Sequence, residues 1–277
     1  MSQTIFNAIK ENDLETLKKY FSDSPSNIFF NNNDYLMFAA GTNKIDVVDF
    51  LLTSKDIPIH SDDSVKSLCI LSAKVICCGE HDGIPCIRVA DDAKEKALVT
   101  AIQYGCFPTV RYLLTCDKFS TPININYNHD EALAISCSNS QLSIAQYLLT
   151  YKKLPRRSNI QTKDNRALRW AFRSSLPNDN ITKYLLTSPK LNEHANIYDN
   201  NCKPFFELAN NPRDKESLWK YLIFDYKLKI YPPIKNFMEK NPNHIAAQLL
   251  YKRELNCNLN CELSINSSHK KFYKSKI

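Results

Sequence analysis

The sequence predicts an all-α stack of helix pairs, and three observations carry that prediction. Four segments end alike, as Phe50-Leu51-Leu52-Thr53, Tyr112-Leu113-Leu114-Thr115, Tyr147-Leu148-Leu149-Thr150 and Tyr184-Leu185-Leu186-Thr187, and Tyr221-Leu222-Ile223-Phe224 falls where a fifth is due. The closing residues Thr115, Thr150, Thr187 and Phe224 are separated by 35, 37 and 37 residues, a period of stacked helical units that bury apolar faces only against their neighbours. Within one unit, residues 130 to 150, Ala132, Leu133, Ser136 and Cys137 make one helical face. Leu142, Ile144, Ala145, Leu148 and Leu149 make a second. Asn139-Ser140 breaks the chain between them, since Asn accepts the left-handed backbone that ends a helix.

Taken in order, residues 3 to 22 supply a charged first pair, with Ile5, Ala8 and Ile9 on one stripe and Leu14, Leu17, Tyr20 and Phe21 on the next, suited to an N-terminal cap. A second pair runs from about 34 to 53 and a third from about 94 to 115. The 62 residues between Thr53 and Thr115 exceed one period, which implies a decayed repeat or an insertion over about 54–93. The insertion is favoured. Residues 64 to 78 can form a helix, but the following stretch holds Gly79, Gly83 and Pro85 and no second apolar stripe. Further pairs follow at 130 to 150, 165 to 187 and 202 to 224. A C-terminal cap at about 232–256 places Ile234, Phe237 and Met238 on one helix and Ile245, Leu249 and Leu250 on the next. Asn128, Asp130, Asp164, Asn165, Asn200 and Asn201 read as turn residues between units. Residues 257–277 lack an apolar period and read as a basic, unpacked tail.

The layout resembles the ankyrin repeat, whose pattern is a TPLH opening, an alanine pair, an interhelix glycine and a VVxLLL second helix. Leu36, Leu98, Leu133, Leu168 and Phe205 match the opening leucine; Ala39-Ala40, Ala101-Ile102, Ser136-Cys137, Ala171-Phe172 and Leu208-Ala209 match the alanine pair. Ile45-Asp46-Val47-Val48-Asp49-Phe50-Leu51-Leu52 is close to the second-helix pattern. The histidine is replaced by Met37, Val99, Ala134, Arg169 and Phe206, so cohesion between units is expected to be mostly apolar. The interhelix glycine position holds Asn43, Gly105, Ser140, Ser175 and Pro212. The resemblance implies a solenoid of six or seven helix pairs over 1–256, with β-hairpin fingers in the connections. In its divergence from consensus the chain also resembles the ankyrin-repeat effectors that intracellular gamma-proteobacterial pathogens inject into host cells. That implies delivery into host cytoplasm by a non-Sec route such as type IV secretion.

The family's concave face is lined two residues after the motif leucine, which here gives Asn7, Phe38, Thr100, Ile135, Trp170 and Glu207. Trp170 is flanked by Arg166, Arg169 and Arg173, and Trp and Arg are the side chains most enriched at binding hot spots. The opposing reading is that Trp170 covers the connection of its own repeat. A monomer that binds a host protein through this face, with no cofactor, is the expectation.

Composition narrows the alternatives. With 43% hydrophobic and 23% charged residues the chain is ordinary for a soluble protein, and no apolar run is long enough to insert in a membrane. The first residues carry acids, unlike a signal peptide. Ten cysteines, several on buried faces, read as free thiols in a reducing compartment. Cys77, Cys78, His81 and Cys86 have the residue types for zinc but lack a CxxC pair, and they are equally the raw material of a cysteine-dependent hydrolase with a histidine base and Glu80 or Asp82 to orient it. Cys257 and Cys261 read as incidental thiols in irregular chain. No phosphate-cradling glycine loop, HExxH or nucleophile elbow is present, and the basic tail is too small a patch to imply nucleic acid.

Overall fold

The first four helix pairs are closed by the same backbone device, and its residues explain the choice of sequence. Asn12, Asn43, Gly105 and Ser140 adopt positive φ of 59°, 60°, 73° and 57°. The next residue's N–H in each case (Asp13, Lys44, Cys106, Gln141) reaches back to the carbonyl of Ala8, Ala39, Ala101 or Ser136 at 2.8–2.9 Å. This is the Schellman arrangement that satisfies the orphan carbonyls of a helix end. At the other end of the pair, the recurring threonine is a cap rather than a core residue. The hydroxyls of Thr53, Thr115, Thr150 and Thr187 donate to the carbonyls of Asp49, Arg111, Gln146 and Lys183 at 2.6–2.9 Å.

The computed structural model describes residues 2–23, 28–53, 77–81, 84–87, 93–119, 122–175, 179–211 and 215–274. It falls into two compact units, Met1–Ala195 and Asn196–Ile277. The first contains α1 (Ser2–Glu11), α2 (Leu14–Asp23), α3 (Ile28–Gly41) and α4 (Ile45–Thr53). Two short strands follow, β1 (Cys77–His81) and β2 (Ile84–Ile87), then α5 (Ala93–Gln103), α6 (Phe107–Thr115), α7 (Tyr127–Ser138), α8 (Leu142–Thr150), α9 (Thr162–Arg173) and α10 (Asp179–Thr187). First helices pack in the order α1, α3, α5, α7, α9; second helices meet as α2 with α4, α4 with α6, and α8 with α10.

Pairs α3/α4 and α5/α6 touch directly, although 39 residues lie between their ends in the chain. The Thr109 hydroxyl donates to Asn43 Oδ1 at 2.8 Å, and the Thr100 hydroxyl lies 3.1 Å from Met37 Sδ. Among the described residues no further pair intervenes between them. Residues 64–76 of the helix expected in this interval lie outside the described residues, and Cys77 and Cys78 are in a strand rather than at a helix end. β1 and β2 pair antiparallel, with Cys78 opposite Cys86 and His81 opposite Ile84. Hairpin fingers are a different matter: the connections after α6, α8 and α10 are turns and carry no strand pairing among the described residues.

Those connections share one construction. Asn124-Ile125, Asn159-Ile160 and Asn196-Ile197 each bury the isoleucine and use the asparagine Oδ1 to accept the N–H two residues on, at 3.1, 2.9 and 2.9 Å. One left-handed turn follows each time, at 128–130, 163–165 and 200–202, closed by a bond four residues long. All six Asn and Asp residues assigned to turns take positive φ there, as their short polar side chains allow.

Buried apolar side chains run through all the units, and at the N-terminal end Phe6, Phe21, Tyr35, Phe38 and Phe50 form a ring cluster with centroids 5.0–6.4 Å apart. Further along, buried carboxylates tie one unit to the next. Glu95 Oε1 accepts the Asn124 N–H at 2.8 Å. Thirty-five residues later, Asp130 Oδ1 accepts the Asn159 N–H at 2.9 Å and the Asn126 amide at 2.6 Å, while Oδ2 accepts the Thr162 hydroxyl at 2.6 Å. These acids stand three residues before the motif leucine, so they supply by another route the side-chain bonds that the missing histidine does not.

The second unit contains α11 (Asp199–Ala209), α12 (Glu216–Lys220) running into a π-turn at Tyr221–Asp225, α13 (Pro232–Lys240) and α14 (Ile245–Lys274). Its core gathers Phe205, Trp219, Phe237 and His244 edge to face at 5.2–5.8 Å. Arg253 donates to the carbonyls of Ile223 and Leu228, beside the π-turn. The expected irregular tail is instead the continuation of α14: residues 257–274 are helical, and Leu255 and Leu259 are exposed.

Candidate functional site

The helix register of α3, α5, α7 and α9 leaves the same position of each half-exposed, because the opening leucine and the small-residue pair face the neighbouring helices. Phe38, Thr100, Ile135 and Trp170 occupy that position on four consecutive first helices of the N-terminal unit. Asn7 holds it on α1 and is exposed. Glu207 belongs to the second unit, where it is half-buried on α11.

The four are not equally available. Phe38 packs edge-on against Phe6 at 5.0 Å, so it has the packing partner that the sequence did not reveal. Thr100 is engaged with Met37. Ile135 and Trp170 lie one unit apart on α7 and α9, the pair joined by the Asp130 bonds.

Around Trp170 the arginines divide by role. The Arg166 guanidinium lies over the indole at 4.8 Å from its centroid, donates to the carbonyls of Asn128 and His129, and sits 3.7 Å from Glu131 Oε1. It therefore clamps the left-handed turn of the preceding unit and covers one face of the ring. Arg169 turns back to its own turn, with Nη1 4.0 Å from Asp164 Oδ2 and 3.4 Å from the Lys163 carbonyl. Arg173, on the last turn of α9, is exposed. The result is a half-exposed indole held at fixed orientation with cationic groups beside it.

Burial pushes the Cys137 thiol up to about 12, and it raises Cys106 and Cys202 as well, so these sulfurs stay protonated and poorly nucleophilic. Among the described residues no group of three His, Cys, Asp or Glu side chains is placed to hold a metal. For the Cys77, Cys78, His81 and Cys86 element, the backbone register of β1 and β2 is what the structure describes.

On the second helices the structure adds a polar cluster that the sequence reading missed. Asp49 accepts bonds from the Tyr112 phenol, from Lys118 at 2.6 Å and from the Thr53 hydroxyl at 3.1 Å. Burial pushes its carboxyl up, but the bonds from Lys118, Tyr112 and Thr53 outweigh that and hold it below the ordinary carboxylate range. Burial and the Asp49 bond in turn keep the Tyr112 phenol protonated well above its usual range.

Residues 60–164 match the family model for ankyrin repeats (3 copies). The match begins inside the 54–93 interval and runs through α9's left-handed turn to its third residue, whereas the structure sets α3/α4 directly against α5/α6. No curated protein and no solved structure gives a significant match to the chain. Ankyrin repeats are generally protein–protein interaction modules and typically non-enzymatic. No helix among the described residues is long and apolar enough to cross a membrane.

Proposed function

We propose that the chain captures another protein on the first-helix face of its N-terminal unit, with Trp170 as the anchor, Arg169 and Arg173 beside it, and Ile135 and Thr100 extending the contact. The observation that carries this reading is the indole held under the Arg166 guanidinium at 4.8 Å. A pinned, half-exposed aromatic loses little rotamer freedom on binding, and such residues contribute most to hot spots. Affinity capture from a lysate with wild-type and Trp170→Ala protein tests it, with thermal unfolding run in parallel. Capture should fall by at least about 30-fold, the cost of a hot-spot truncation of about 2 kcal/mol, while the unfolding midpoint moves little. Retained capture, or a collapse of stability, would assign the ring to packing.

The partner is proposed to be a host protein, met after export by a non-Sec route. This rests on the likeness to injected effectors and on the basic C-terminal stretch His269-Lys270-Lys271-Phe272-Tyr273-Lys274. Deleting residues 266–277 should block translocation of a reporter fusion and leave capture in vitro unchanged. Undiminished translocation would refute the export role.

A further inference from the structure

A second surface, on the opposite helices, carries chemistry that the Trp170 face does not use. Between α6 and α8 lies an open cleft of about 580 Å³, lined by Phe107, Gln146, Tyr147, Tyr151, Lys152 and Lys153. Its lining contains no acidic residue. The aromatic part is rigid: Tyr147 and Tyr151 stack at 4.5 Å, and Phe107 meets Tyr147 edge-on at 5.4 Å.

The connection that leaves this cleft is strongly basic. Within Tyr151-Lys152-Lys153-Leu154-Pro155-Arg156-Arg157 there are four cations and no acid, all four are exposed, and none has a carboxylate partner among the described residues. The segment is also fixed in place. Leu154 is buried, and Ser158 donates its N–H to the Leu148 carbonyl at 3.1 Å. A pair of lysines just past α8 would offset the partial negative charge of its C-terminal end. Two further arginines exceed that need.

We infer that this cleft and the Lys152–Arg157 segment bind an acidic peptide segment carrying one apolar side chain, the apolar group seated against Phe107, Tyr147 and Tyr151 and its flanking carboxylates met by the cations. Charge complementarity commits the site to an anion, and the ring arrangement favours peptide over nucleic acid. Tyr147 already has Tyr151 on one face and the edge of Phe107 close by, which leaves poor access for a stacked base. The surface is separate from the Trp170 face, so the two stand or fall independently.

The test is an amide-resolved NMR titration of the full chain with a synthetic peptide of glutamates around a single leucine. Saturable shifts should centre on Phe107, Gln146, Tyr147 and residues 151–153. Replacing the peptide's leucine by serine should weaken binding. Lys152→Glu combined with Lys153→Glu, two exposed changes that should leave the rest of the spectrum in place, should weaken it about tenfold or more. Trp170→Ala should not alter it. The proposal is overturned if the peptide moves none of these amides at millimolar concentration, if the charge-reversed protein binds equally well, if the serine peptide binds as tightly, or if a single-stranded oligonucleotide of matched charge occupies the same amides more tightly.

Discussion

The first two helix pairs and the middle pairs solve one problem with different chemistry. Between α1/α2 and α3/α4 the contact is dominated by a cluster of rings, Phe6, Phe21, Tyr35, Phe38 and Phe50, with one exposed bond from the Asn12 amide to Asp46. Between α7 and α9 the contact includes a buried carboxylate, Asp130, that accepts from Asn159, Asn126 and Thr162. Rings tolerate small slips, because dispersion is non-directional. Three bonds to one carboxylate do not, and they fix how far the next unit is advanced and rotated. The unit that carries Trp170 and its arginines follows directly on that fixed joint.

The comparison breaks first at Phe21, which is almost fully buried. Phe21→Ala should destabilise the N-terminal unit by about 3–5 kcal/mol in urea unfolding, the cost of the lost burial and the cavity; a loss under about 1 kcal/mol would mean that the rings are not the joint. Asp130→Ala removes a buried acceptor from three donors and should cost about 3 kcal/mol. A much smaller loss there would make the middle joint apolar too.

A weaker polar joint lies at Asp49. Asp49→Asn should cost on the order of 1 kcal/mol near neutral pH through lost charge-assisted bonds. Its folded-state carboxyl is lowered, so its contribution is present above the ordinary value near 3.8 and is lost as the pH falls through the lower folded value. The gap between wild-type and variant melting temperatures should therefore close on acidification; a constant gap contradicts the assignment. The smallest effect is a gain. His129 is exposed at φ 59°, and His129→Gly should stabilise by about 0.5 kcal/mol by relieving left-handed strain, whereas a loss would show that the side chain matters to the turn.

Pairing of helices was legible because its signals are local. The strings ending in Thr53, Thr115, Thr150 and Thr187 and the interhelix residues Asn43, Gly105 and Ser140 act within four or five residues of themselves. Asp130 was legible only as a turn former, which it is, since its φ is 56°. Its bonds to Asn159 and Thr162 span 29 and 32 residues, and no spacing rule exposes them without the fold. The recurrence of an acid at 95 and 130, each ahead of an Asn-Ile pair one unit later, was the available signal. Phe38 and Arg166 illustrate the same limit: one looked free and packs on Phe6, the other looked like a binding arginine and clamps the preceding turn. Helix in place of irregular chain after Cys257 followed from α14 propagating past its last packed turn, which an apolar-period criterion does not detect.

The joint that positions the Trp170 face is tested most directly by hydrogen exchange at the Asn159 amide, whose N–H points at Asp130 Oδ1. In the wild-type protein it should exchange only as slowly as the unit unfolds, and in Asp130→Ala it should speed up by about 100-fold, equivalent to about 3 kcal/mol, with the Asn124 amide, held by Glu95, affected far less. Rapid exchange at Asn159 in the wild type, or exchange that Asp130→Ala leaves unchanged, would contradict it.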